Sequence, residues 1–127
     1  MTENEIGTSA IDSALKVHRE LGPGLLETVY EIALAFELQN HGLHIERQKP
    51  IPIVYHGIKF EEGFRADIII ENKVLIELKS IEKVNASHRK QVQTYLRLAG
   101  LKLGYLLNFG EALMKDGITQ CVNHLEE

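Results

Sequence analysis

The stretch Arg65-Ala-Asp-Ile-Ile-Ile-Glu-Asn-Lys-Val-Leu-Ile-Glu-Leu-Lys79 decides how this chain is read. Arg65 to Ile70 and Val74 to Lys79 are rich in strand-forming residues, and Glu71-Asn72-Lys73 between them has turn character. That pattern predicts an antiparallel hairpin. With a loop of those three residues, Ile70 faces Val74, Asp67 faces Glu77 and Arg65 faces Lys79. Strand side chains alternate between faces. Ala66, Ile68, Ile70, Val74, Ile76 and Leu78 then make a wholly apolar face for the core. Arg65, Asp67, Ile69, Leu75, Glu77 and Lys79 make the other face, with its charges gathered away from the turn.

Directly opposed residues have Cβ atoms about 4.5–5.5 Å apart, and like charges there destabilise. Two carboxylates at that spacing call for a cation or for a raised pKa. A hard ion such as Mg²⁺ favours one or two carboxylates, waters and substrate phosphates. The same residues also fit the wet face of an antiparallel sheet, where charges are merely solvated. The hairpin alone leaves both readings open, and a register slip of one residue would part Asp67 from Glu77.

The rest of the chain sets bounds on these readings. Its 127 residues predict a single domain spanning 1–127, with a core over about 8–122. Hydrophobic residues make up 44%, enough apolar surface to offset the ordering entropy, so disorder is excluded for most of the chain. A net charge of −4 argues against a passive electrostatic coat on nucleic acid. One cysteine, Cys121, excludes a disulfide framework and a cysteine-built zinc site. The first ten residues lack the charged and apolar regions of a signal peptide, and no apolar run approaches the ~20 residues needed to span a bilayer. A soluble, cytoplasmic protein without membrane contact is the expectation. No G-x-x-x-x-G-K-[ST], G-x-G-x-x-G or G-x-S-x-G motif occurs.

Around the hairpin the periodicity predicts two helices first. One starts near Thr8 or Ser9, with Ser9 as N-cap and Asp12 completing a box, and stops at Gly22-Pro23. The next starts near Gly24 or Leu25, buries Leu26, Val29, Ala33 and Phe36, and ends at Gly42. His44 to Gln48 is extended. Pro50 and Pro52 bar a central strand. Ile51 to Tyr55, the turn His56-Gly57 and Ile58 to Glu62 follow as paired strands. After the hairpin, Asn85 or Ser87 opens a third helix to about Leu98, closed by Gly100. Leu101 to Asn108 and Ile118 to Val122 are further strands. The fold class is α/β with a mixed, largely antiparallel sheet covered by helices.

Several motifs resemble a known family. Asp67 followed by Glu77-Leu-Lys79 is similar to the signature of the PD-(D/E)XK nuclease superfamily. Gly22-Pro-Gly-Leu-Leu-Glu27-Thr-Val-Tyr30, preceded by His18-Arg-Glu-Leu21, resembles the motif that names the small bacterial GxxExxY proteins. Gln91-Val-Gln-Thr-Tyr95 is similar to the Q-x-x-x-Y element of exonuclease-like members, and Leu107-Asn-Phe-Gly110 also fits. The resemblance implies a restriction-endonuclease-like core, α-β-β-β-α-β, with an extra helix in front. Ala66 stands where the superfamily's name has proline; that proline ligates nothing.

The resemblance also implies roles. Asp67 and Glu77 would hold Mg²⁺ or Mn²⁺, Lys79 would orient the attacking water, and Glu27 would be a further acidic ligand or water-positioner. Gln91 and Tyr95, on one helix face, would line the site. Arg65 would contact phosphate or pair with a neighbouring acid. The implied chemistry is metal-assisted hydrolysis of phosphodiesters in nucleic acid, DNA first. The alternative is a non-cleaving binding or assembly module on the same fold. Tyr30 and His18 read as packing or orienting residues, and His88 as a first-turn residue. Lys83, Arg89 and Lys90 read as a solvated stretch or as a local basic patch. A homodimer is expected from small size and free strand edges.

Overall fold

The structure, a computed structural model, describes residues 1–126, and at Glu62 the backbone only. Helices α1 (Glu3–Leu21) and α2 (Glu27–Asn40) lead into strands β1 (Ile45–Tyr55), β2 (Ile58–Ile70) and β3 (Val74–Lys79). Helix α3 (Ala86–Ala99), strand β4 (Leu103–Asn108), a 3₁₀ turn (Met114–Gly117) and strand β5 (Ile118–Val122) complete the order. The strands form one five-stranded sheet in sequence order. Only β3 and β4 run parallel, and α3 makes the crossover between them. A mixed α/β sheet is what the sequence predicts.

The sheet is the middle layer. Tyr30, Leu34 and Leu38 of α2, with Ile6, Ala10 and Ala14 of α1, pack on Ile68, Ile70, Ile76 and Leu78. Val92 and Leu96 of α3 pack on Ile69, Leu75 and Leu106, which alternate with that set. The six residues predicted for the core face of the hairpin are all buried, although Ala66 joins the α3 cluster. Both faces of the central strands are covered, so Val74 to Leu78 is buried without a break.

Three expectations are corrected. Helix α1 begins at Glu3, not near Ser9, because Thr2 and Glu5 form a reciprocal capping box that nucleates it earlier. Helix α2 begins at Glu27 and buries Tyr30, Glu31, Leu34, Ala35 and Leu38. Leu26, Val29 and Phe36 are exposed instead. The helix is apolar on more than one side, and the stripe carrying Tyr30 wins because that ring stacks on Phe109 with centroids 4.5 Å apart. Strand β4 starts at Leu103, not Leu101, since Leu101 N–H still bonds Leu96 O beyond the left-handed Gly100. The two prolines are accommodated as foreseen, because β1 is an edge strand.

Candidate active site at a fork in the sheet

Strands β2 and β3 pair through Ile70↔Val74, Ile69↔Leu75 and Ile68↔Ile76, the register the hairpin predicts. There the ladder stops. β2 continues alongside β1, as a two-stranded ribbon, while β3 stays with β4. The next pair in register, Asp67 and Glu77, stands at the point of divergence.

Side chains take over the backbone bonding at this fork. Leu78 N–H donates to Asp67 Oδ2 at 2.8 Å, and Asp67 N–H donates to Glu77 Oε1 at 3.3 Å. Each carboxylate thereby satisfies an amide of the other strand. The two acids are held together by the same geometry that parts the strands. Burial, and after it the Asp67 charge, pushes the Glu77 carboxyl up to about 8. Glu77 therefore holds a proton at neutral pH.

Lys79 lies two residues beyond Glu77 on the same strand, half-buried. Its positive charge works against the rise at Glu77. Among the described residues it is in no ion pair, so its ammonium is free. Helix α3 supplies Tyr95, whose phenol is pushed up by burial and then by the Glu77 and Asp67 charges. Gln91, one turn before it on the same helix face, acts against that rise. The Tyr95 ring stacks on Phe64 of β2, with centroids 3.8 Å apart and planes 6° apart, tying α3 to the ribbon.

Arg65 does not reach Lys79, because β2 has left β3 by then. It pairs with Pro50 of β1, and its Nη1 donates to Gln48 O at 3.1 Å. Glu27 is the exposed first residue of α2. The loop before it is moored to the end of β3 by Ser80 Oγ, which donates to Leu25 O at 2.5 Å. Tyr30 fixes the same loop from inside, donating to Gly22 O at 2.5 Å and accepting from Leu25 N–H at 3.1 Å. The tyrosine of the Gly24…Glu27…Tyr30 motif is thus a packing and anchoring residue. His18 is one too: its Nε2 bonds Glu111 O at 2.8 Å and its ring lies over Phe109.

A hard divalent cation fits the donor chemistry of the Asp67–Glu77 pair, two adjacent carboxyl groups of which Glu77 holds a proton that such an ion would displace. Among the described residues no group of three His, Cys, Asp or Glu gathers closely enough to hold a metal, so Glu27 is not brought into the pair. The remaining positions on an ion would fall to water and substrate.

The sequence reading passed over Glu31, Arg47, Gln48 and Phe64. Glu31 is buried in α2 with 5% of its surface exposed. Its Oε2 accepts from Arg47 Nε at 2.9 Å and from Arg47 Nη2 at 2.8 Å. Gln48 Nε2 bridges Glu31 Oε1 at 2.6 Å and Asp67 Oδ1 at 3.1 Å. A signal existed: Glu31, Leu34 and Leu38 recur at helical spacing, so a carboxylate sits on an otherwise apolar stripe.

No curated protein matches the chain. The crystal structure of SSO0001 is similar with a TM-score of 0.52 and 25% identity, over 80% of this chain and 52% of that one. The chain thus spans about half the length of SSO0001. Among the described residues no helix is long and apolar enough to cross a membrane. The profile of the PD-(D/E)XK nuclease superfamily matches residues 4–121, and the chain belongs to that superfamily.

Proposed function

We propose that the protein is a metal-dependent nuclease that hydrolyses phosphodiester bonds, with DNA as its first substrate. The observation that carries this reading is the meeting of Asp67 and Glu77 at the fork, bonded across the parted strands, with the free Lys79 ammonium alongside. Mg²⁺ or Mn²⁺ held by the two carboxylates would polarise the phosphate and acidify a water. Lys79 orients that water and offsets charge growing on the phosphorus-bound oxygens. Gln91 and Tyr95 line the α3 side, and Arg65 on the ribbon contacts a flanking phosphate. Glu27, at the moored start of α2, positions water from the edge of the site.

A homodimer built on the free strand edges is part of the proposal, and size-exclusion chromatography tests it.

The deciding assay incubates labelled single- and double-stranded DNA and RNA with Mg²⁺, Mn²⁺ or EDTA. Cleavage that requires metal and is lost in Asp67→Ala and Lys79→Ala is the expected result. Binding without cleavage, indifferent to both substitutions, points instead to a non-catalytic module.

A further inference from the structure

The chain Arg47–Glu31–Gln48–Asp67 is built in a way that fold stability does not call for. A guanidinium and a buried carboxylate contribute little against an apolar pair of similar size, because desolvation offsets their attraction. Gln48 has φ of 50°, in the left-handed region that non-glycine residues avoid. It is nevertheless clamped at three points. Arg65 Nη1 holds its carbonyl at 3.1 Å. Its Nε2 is bonded to Glu31 at 2.6 Å and to Asp67 at 3.1 Å. Backbone strain of this kind clusters where a side chain must be aimed.

The target is the Asp67 carboxylate. Leu78 N–H occupies one lone pair of Oδ2, and the Gln48 amide occupies one of Oδ1. With both oxygens bonded, the carboxylate is held in one orientation, with lone-pair capacity left for an ion that displaces the Glu77 proton. We infer that Glu31 and Gln48 are positioning residues: Glu31, fixed by Arg47, holds the Gln48 amide, and the amide holds Asp67 in the orientation in which it takes a divalent cation. This inference rests on Asp67 being a metal ligand. Partners of a ligating carboxylate typically contribute 10–100-fold to metal affinity, about the range expected for Gln48.

The test is Gln48→Gly, with Glu31→Gln as the second variant. Glycine accepts the left-handed backbone without strain and removes the amide. Relief of the backbone strain offsets part of the bonds lost by Glu31 and Asp67, and Mn²⁺ affinity measured by calorimetry on the folded variant should fall about tenfold. A purely structural Gln48 would lower the melting temperature and leave the affinity unchanged, and would overturn the inference. Glu31→Gln, which weakens the grip on the amide, should lower Mn²⁺ affinity in the same direction. Asp67→Asn separates the two levels of the argument. If wild type binds Mn²⁺, Asp67→Asn does not, and Gln48→Gly binds like wild type, the positioning role falls while the metal site stands. If wild type ignores Mn²⁺, both fall.

Discussion

Glu77 makes the sharpest residue-scale statement. Its folded pKa, about 8, lies above the ordinary carboxyl value of 4.5. A group raised in this way contributes stability that is complete below about 4.5 and is lost as pH climbs through about 8. Glutamine mimics the protonated form and can still accept the Asp67 amide. Melting curves of Glu77→Gln should therefore match wild type near pH 5 and exceed it near pH 9, by up to a few kcal/mol. Equal gaps at both ends would remove the proton from the account. The same proton must leave when a cation binds. The rise in melting temperature given by Mn²⁺ should thus be larger at pH 8.5 than at pH 6, and Glu77→Gln should reduce it.

Single elements show which kind of sequence signal can be trusted. Strands β3 and β5 and the Asn85-capped α3 are where the pattern puts them, because β-branched runs, an N-cap and a left-handed glycine act locally. The buried stripe of α2 was misread for a reason of tertiary origin. Avoiding a carboxylate favours Leu26, Val29 and Phe36. The folded chain accepts Glu31 inside because Arg47 and Gln48, from the next strand, meet it. The Asp67–Glu77 pairing was legible since three-residue loop and alternation fix the register. The role of Gln48 was not, since nothing local announces a left-handed glutamine in a strand. Tyr30 belongs to this scale as well. Its hydroxyl joins Gly22 O and Leu25 N–H, so Tyr30→Phe leaves both without that partner. A loss of about 1–3 kcal/mol in chemical unfolding is expected, together with slower cleavage if the loop sets Glu27. Gly110→Ala should be far worse, because a Cβ there collides with the Ile81 backbone.

At the scale of the whole molecule, a net charge of −4 must coexist with the polyanionic substrate proposed above. Attraction then comes from a few local cations: Lys79 and Arg65 at the fork, and Lys83 and Arg89 beside the start of α3, where both line a recess that Glu111 and Asp116 also border. Few phosphate contacts mean a shallow dependence of binding on salt. Substituting Arg89 or Lys83 by alanine should lower the slope of log K against log salt by about 1 for each residue that touches phosphate. A slope that does not change assigns them to solvent.

The ribbon formed by β1 and β2 has one more consequence. Beyond Ile68 it is held to the rest at its base, by the Gln48–Glu31 and Asp67–Leu78 bonds, the Phe64–Tyr95 stack and the cluster around Ile51, none of which reaches its far end from Ile53 to Phe60. Regions with few tertiary contacts open at lower free energy than the centre. In native-state deuterium labelling, the amides of Val54 and Lys59 should exchange well before those of Leu75 and Leu106. The amide of Asp67, bonded to a carboxylate instead of a strand neighbour, should follow the ribbon. The mouth of the candidate site would then breathe with its arm, leaving the sheet beneath it closed.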